Sequence, residues 1–287
     1  EGSPLVAVTF TGKTFALTFA NPTNGYVTGT SLDCGPVGDL VHYDCTADVT
    51  FGSTYVITPH PSTGYSLTAW NGACSSSSIA GNCTINWASG SVDTDALTVA
   101  ASATFTINSY TVSVTSTNGT VVSNEGTPKI NCPGTCTASY THFSSFTLTA
   151  EPGTGYSFTS WTSCPSPSGN VCTISSLTGT LSVTANFTAK TYPLVVTAPA
   201  RGYISGDNGI NCGPGRTGAE LCEVNFAFGT NPNLVAHAPT GYVFSAWGGD
   251  CSGATTTCVF TWDETPTASV TFVADTFTLT VTRPTAN

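Results

Sequence analysis

Methionine is missing from all 287 residues, and charge is scarce: 8% of the chain is Asp, Glu, Lys or Arg. Six residues are basic against sixteen acidic, for a formal net charge of −10. Nucleic acids and anionic membranes are held by clusters of Lys and Arg, so composition argues against both as partners. Apolar runs are strand-length, well short of the ~20 residues that cross a bilayer as a helix, so membrane insertion is not expected. No segment sustains an apolar period of 3.6 residues, which argues against helices. The opening Glu1-Gly2-Ser3-Pro4-Leu5 lacks the basic and apolar regions of a signal peptide. The expectation is a mature or internal segment whose export signal lies elsewhere. What is abundant is Thr, Ser, Gly, Asn and Val, which suit short strands and turns, together with twelve cysteines.

The sequence repeats itself. Phe15-Ala16-Leu17-Thr18-Phe19 recurs as Tyr110-Thr111-Val112-Ser113-Val114, Tyr192-Pro193-Leu194-Val195-Val196 and Phe277-Thr278-Leu279-Thr280-Val281. Each alternates apolar and polar positions, the pattern of a strand with one buried face. A Gly-x-[VI] step follows at Gly25, Gly119 and Gly202, suited to a turn into a second strand. Later comes Gly-Tyr-x-[LF]-x-x-Trp, from Gly64 to Trp70, Gly155 to Trp161 and Gly241 to Trp247. Recurrence in every copy points to a core role for these three Trp residues.

Each copy closes on a strand ending in Phe, five positions before the next opening aromatic: Phe10 to Phe15, Phe105 to Tyr110, Phe187 to Tyr192 and Phe272 to Phe277. Five extended residues reach at most about 16–18 Å, so neighbouring modules must nearly touch. The expected division is a closing strand of a preceding repeat at 1–12, repeats at 13–107, 108–189 and 190–274, and the opening strand of a following repeat at 275–287. Val8 and Phe10 at one end, and Phe277, Leu279 and Val281 at the other, are candidates for completing a neighbour's sheet by strand addition. The partners this implies are copies of the same repeat, in one longer chain or between subunits.

Every module carries four cysteines: 34, 45, 74 and 83; 132, 136, 164 and 172; 212, 222, 251 and 258. First-to-second separations are 11, 4 and 10, third-to-fourth 9, 8 and 7, whereas second-to-third stays at 29, 28 and 29. A fixed interval fits strands in register, and variable ones fit loops closed at their own ends. The expected bridges are therefore Cys34–Cys45, Cys74–Cys83, Cys132–Cys136, Cys164–Cys172, Cys212–Cys222 and Cys251–Cys258. Persistent disulfides require an oxidising compartment, which places the protein outside the cell or on its surface. Zinc at Cys132-x-x-x-Cys136 fails on spacing in the other modules, so no metal or cofactor is expected.

Catalytic constellations are missing. His60 and His237 stand four residues before the Gly-Tyr motif, where the middle module has Glu151, as befits a solvated polar slot. Asp93 and Asp95 occur in one module only and read as a solvated turn. No phosphate loop, Gly-x-Ser-x-Gly elbow or His-Glu-x-x-His helix is present, so no enzyme is expected. Trp87 and Trp262 lie four residues past the fourth cysteine, where the middle module has Ser176. A core position should not switch from Trp to Ser, so both are candidates for exposed contact with glycans or surfaces. Lys13 and Lys190 share a junction position, but Ser109 or Asn108 and Asp275 at the other junctions speak against side-chain isopeptide links.

Together, the opening strand, Gly-x-[VI], paired cysteines, Gly-Tyr-x-[LF]-x-x-Trp and the closing strand resemble the divergent internalin-type B-repeat of long bacterial surface proteins. The most specific part is the Gly-Tyr to Trp segment with its cysteine, as in Trp247-Gly248-Gly249-Asp250-Cys251-Ser252-Gly253. The resemblance implies exported β-modules that serve as spacers, stalks or adhesive segments, and brings no catalytic residues. The first module departs in its serine-rich loop after Cys74, and the middle one in Trp161-Thr162-Ser163-Cys164, which lacks the usual Gly. The expected fold is all-β: a tandem array of small disulfide-stapled modules of six or seven strands, β-sandwich or β-grasp-like, forming an elongated rod. The expected function is a structural extracellular segment of a bacterial surface fibre, stalk or filament, adhesive and continued head to tail through terminal strands. The alternative is a set of carbohydrate- or surface-binding modules accessory to a secreted enzyme or adhesin.

Overall fold

The computed structural model describes residues 13–38, 40–86, 98–260 and 265–281. Among them are 27 strands, nine in each of three successive modules, and one 3-10 turn at Asp207–Gly209. Nine exceeds the six or seven expected, because two- and three-residue strands beside the cysteines join the ladders.

Module 1 holds β1 (Thr14–Phe19), β2 (Gly25–Gly29), β3 (Leu32–Cys34), β4 (Tyr43–Asp44), β5 (Thr46–Thr50), β6 (Thr54–Pro61), β7 (Tyr65–Gly72), β8 (Cys83–Asn86) and β9 (Thr98–Ile107). Module 2 holds β10 (Ser109–Ser116), β11 (Gly119–Ser123), β12 (Asn131–Cys132), β13 (Thr137–Thr141), β14 (Phe146–Pro152), β15 (Tyr156–Thr162), β16 (Ser166–Ser168), β17 (Val171–Ile174) and β18 (Leu181–Ala189). Module 3 holds β19 (Thr191–Val196), β20 (Tyr203–Gly206), β21 (Asn211–Cys212), β22 (Glu223–Ala227), β23 (Leu234–His237), β24 (Tyr242–Gly249), β25 (Cys251–Ser252), β26 (Val259–Phe260) and β27 (Thr267–Ala274).

One four-stranded sheet recurs in all three, ordered β5-β1-β9-β7, β13-β10-β18-β15 and β22-β19-β27-β24. Its two central strands, the first and last of the module, run parallel, and the outer pairings are antiparallel. That order is β-grasp-like. A second sheet stands where a helix would otherwise cover it: β4-β3-β2-β6-β8 in module 1 and β12-β11-β14-β17-β16 in module 2. In module 3 this layer is β21-β20-β23 and the pair β25-β26, joined by a bridge from Val235 to Thr257. Both expectations, sandwich and β-grasp-like sheet, thus describe parts of one module.

Each module has its own core between the two layers. In module 1, Phe15, Leu17 and Phe19 of β1 meet Val27, Leu32, Tyr55, Ile57 and Ile85 of the second sheet. Alternation along β1 is what sends its three aromatic and aliphatic side chains inward together. Cys34, Cys132 and Cys212 are buried in the corresponding cores, so every first bridge anchors a loop to packed apolar surface.

Two recurrent motifs find a physical cause. Leu67 and Trp70 are three apart, which would put them on opposite faces of a regular strand, yet both are buried. A β-bulge lies between them: the register with β9 skips Thr68, as it skips Thr159 in module 2 and Ser245 in module 3. The extra residue turns both members of the [LF]-x-x-Trp pair toward the core. The indole N–H of Trp70 then donates to the Gly81 carbonyl (3.3 Å) and that of Trp247 to the Thr255 carbonyl (2.9 Å), each inside a disulfide loop. For Gly-x-[VI], the constraint is closeness: a Cβ on Gly25, Gly119 or Gly202 would stand 2.8, 2.5 or 2.9 Å from the ring of Phe105, Phe187 or Phe272, the closing Phe of the same module.

The candidate opening strand at 277–281 is unpaired among the described residues. Phe277, Leu279 and Val281 are exposed and belong to no strand. In a complete module the equivalent strand lies between two strands that follow it in sequence. Val8 and Phe10 lie outside the described residues.

Candidate assembly site

Six disulfides close the short loops: Cys34–Cys45, Cys74–Cys83, Cys132–Cys136, Cys164–Cys172, Cys212–Cys222 and Cys251–Cys258. No cysteine is free. Cys132 and Cys136 are bonded to each other. Cys212, Glu220 and Cys222 come together, but the sulfurs are bonded to each other and the Glu220 carboxylate pairs with Arg216 at 3.2 Å. Trp87, Trp262, Asp93 and Asp95 lie outside the described residues.

The half-buried His60 and His237 are cross-strand braces instead of solvated side chains. His60 pairs with Tyr26 across β2 and β6, stacks on its ring at 4.5 Å and shares a 2.9 Å hydrogen bond with Thr28. His237 pairs with Tyr203, stacks at 4.3 Å and shares a 2.7 Å hydrogen bond with Ser205. In module 2 the same cross-strand pair is Thr120 and Glu151. The Tyr–His pair thus exchanges as a unit with a Thr–Glu pair at the same register. His42 covers the other face of Tyr26 at 3.8 Å and is held by Asp33 at 2.6 Å.

The interactions that join one module to the next are built from two turns and the linker residue between them. The first turn is the start of the Gly-Tyr motif. Tyr65, Tyr156 and Tyr242 donate their backbone N–H to Ser62, Gly153 and Pro239, closing four-residue turns. The third residue of each has φ near +80° (Gly64 83°, Gly155 79°, Gly241 79°), which explains the glycine. The second turn links the edge strand of the four-stranded sheet to the second sheet. Ser53, Ser144 and Thr230 donate N–H to Thr50, Thr141 and Ala227, leaving Phe51, His142 and Phe228 at the tips.

At the joint between modules 1 and 2, Asn108 donates its N–H to the Gly64 carbonyl (2.8 Å), and its own carbonyl accepts the N–H of His142 (2.7 Å). Its side-chain oxygen also accepts Ser66 Oγ–H at 2.6 Å. The His142 ring lies directly over Gly64, where any Cβ would overlap it, and His142 is only 6% exposed. The joint between modules 2 and 3 repeats this plan. Lys190 donates to Gly155 (2.8 Å) and accepts from Phe228 (2.8 Å). The Phe228 ring covers Gly155 and meets Tyr156 edge-on, with centroids 5.8 Å apart.

The linker residue therefore has both backbone groups bonded, one to the module behind and one to the module ahead. Such a linker has little conformational freedom left to act as a hinge. The junction position was visible in the sequence, but its backbone role was not. The ring positions were missed. Their trace is an aromatic or imidazole two residues before Ser or Thr, in Phe51-Gly52-Ser53, His142-Phe143-Ser144 and Phe228-Gly229-Thr230.

The divergent InlB B-repeat domain matches residues 110–191 and 192–282. No curated protein matches the sequence. Among solved structures, the Bacillus anthracis TIE protein is 10% identical with a TM-score of 0.42, over 90% of this chain and 49% of that one. Two B repeat units (B1B2) of the collagen binding protein of Staphylococcus aureus are 8% identical with a TM-score of 0.16, over 92% of this chain and 76% of theirs. The chain thus spans about half the length of the TIE protein it resembles. At these identities and scores neither likeness bears on function. The two matched copies fill more than half of the sequence, and module 1 shares their strand order. On that ground the chain belongs to the divergent InlB B-repeat family.

Proposed function

We propose that this chain is a structural segment of an extracellular fibre or stalk, whose modules are set in line by bonded joints and stapled by local disulfides. The observation that carries the reading is the joint itself, formed twice with the same hydrogen-bond relay and the same ring over the same glycine. A chain meant to let its modules swing would leave its linkers to water. Six disulfides fit an oxidising compartment, and 8% charge fits a neutral hydroxyl-bearing surface that needs no ionic partner. No catalytic role forms part of this reading. Small-angle scattering and electron microscopy of the full chain test it: particles of constant length with fixed inter-module angles are expected, and a broad spread of angles would refute it.

A second reading, adhesive contact, draws on the loop closed by Cys34–Cys45. Val37 and Leu40 are 85% and 89% exposed there, and Tyr43 is exposed beside them. The matching loop of module 2 is only Pro133-Gly134-Thr135, and that of module 3 is mostly Gly and polar residues. Val37→Ser with Leu40→Ser should lower attachment to a surface if this loop is the contact, whereas Trp87→Ala with Trp262→Ala tests the glycan alternative.

A further inference from the structure

The molecule carries two half-joints in addition to its two complete ones. At one end Phe51 occupies the ring position, its N–H bonded to the carbonyl of Lys13 (2.7 Å), as His142 is bonded to Asn108 and Phe228 to Lys190. Yet Phe51 is 48% exposed, where His142 is 6% exposed. At the other end Asp275 donates its N–H to the Gly241 carbonyl (2.9 Å), as Asn108 does to Gly64 and Lys190 to Gly155. Gly241 has the same turn conformation as its two equivalents, but among the described residues nothing lies within 4 Å of where its Cβ would be.

We propose that the Gly241–Tyr242 turn with Asp275 is a preformed socket, and Phe51 a preformed knob, for one more joint of the kind already made twice. The occupant of the socket is a further repeat of this family, continuous with the chain through Asp275. It would present an aromatic or imidazole ring 32–36 residues past its opening aromatic, the interval from Tyr110 to His142 and from Tyr192 to Phe228. Its ring would cover Gly241, and its backbone N–H would donate to the Asp275 carbonyl. Partner choice then rests on backbone geometry and one flat ring. That is why Asn, Lys and Asp can share the linker position, and Phe and His the ring position.

This inference rests on the structural reading above, and the test separates the two. A tandem protein is made in which Asp275 of one full chain is followed directly by Thr14 onward of a second, so that Asp275 takes the place of Lys13. Hydroxyl-radical footprinting reads the ring of Phe51 in the second copy, the first copy carrying Phe51→Leu so that the two peptides differ in mass, with the exposed Tyr43 as internal reference. The expected result is at least a threefold fall in Phe51 oxidation relative to the single chain, reversed by Gly241→Ala in the first copy. Circular dichroism of that variant checks that it folds, because at a φ of 79° alanine strains the turn even where its Cβ meets no atom among the described residues. Unchanged Phe51 oxidation in a tandem that scatters as one extended particle would overturn the socket and leave the structural reading standing. Unchanged oxidation with freely varying inter-module angles would overturn both.

Discussion

Removing one bridge at a time gives a graded test of what the staples do. Cys34–Cys45 spans 11 residues and Cys132–Cys136 spans 4, while the first cysteine of each pair is fully buried at the same place in its module. Loop-closure entropy in the unfolded chain assigns about 2.8 kcal/mol to the longer loop and about 1.9 kcal/mol to the shorter. A module of this size has a total stability of about 4–13 kcal/mol, so either loss is a large fraction. Substituting both cysteines by Ala removes sulfur packing of equal extent in the two cases, and that part cancels in the comparison. What remains is a difference of about 0.9 kcal/mol, or roughly fivefold in an opening equilibrium. Native-state hydrogen exchange with mass spectrometry, which resolves the modules separately, is the appropriate assay. The slowest amides of module 1 in Cys34→Ala/Cys45→Ala should accelerate about fivefold more than those of module 2 in Cys132→Ala/Cys136→Ala. Equal effects, or a larger one at Cys132–Cys136, would refute loop length as the controlling quantity.

Leu148 is fully buried in β14, at the centre of the second sheet of module 2, and Leu148→Ala should cost about 3–5 kcal/mol by urea denaturation, confined to that module. Gly119→Ala would bring a Cβ to 2.5 Å from Phe187 and 2.6 Å from the Glu151 carbonyl, so a loss of about 1–3 kcal/mol is expected. Gly179→Ala, with nothing within 4 Å among the described residues, should stay within about 0.5 kcal/mol and serves as the control in the same melts. Burial, aided by the charge of the nearby Glu125, pushes the Tyr140 hydroxyl up to about 12. A pKa raised in the folded state gives stability that is complete below the ordinary value of 10.0 and is lost as pH climbs from there toward 12. Alkaline titration followed by circular dichroism should therefore show a shallower decline in Tyr140→Phe than in the parent.

Much of the architecture was legible because it is written in short-range pattern. Alternation in Phe15-Ala16-Leu17-Thr18-Phe19 marks a one-faced strand, and β1 buries those three apolar side chains. Constant second-to-third cysteine intervals singled out the local pairs that the structure joins. The [LF]-x-x-Trp spacing was legible as a repeat but not as a bulge, since one inserted residue changes which face a side chain takes without leaving a composition of its own. Phe277-Thr278-Leu279-Thr280-Val281 carries the same alternation yet is exposed and outside any strand, because alternation marks a face and leaves the backbone pairing to other segments.

Sequence by itself determined the repeat, its period, its cysteine loops and its strand-rich character, because those depend on residues near one another in the chain. Tertiary structure decided the joint. Gly64 and His142, and Gly155 and Phe228, are more than seventy positions apart and meet only after each module has folded. The linker residue between them is chosen for its backbone N–H and carbonyl, which every residue but proline supplies. Asn108, Lys190 and Asp275 can therefore do the same work with unrelated side chains, and a signal carried by the backbone leaves no trace in amino-acid identity.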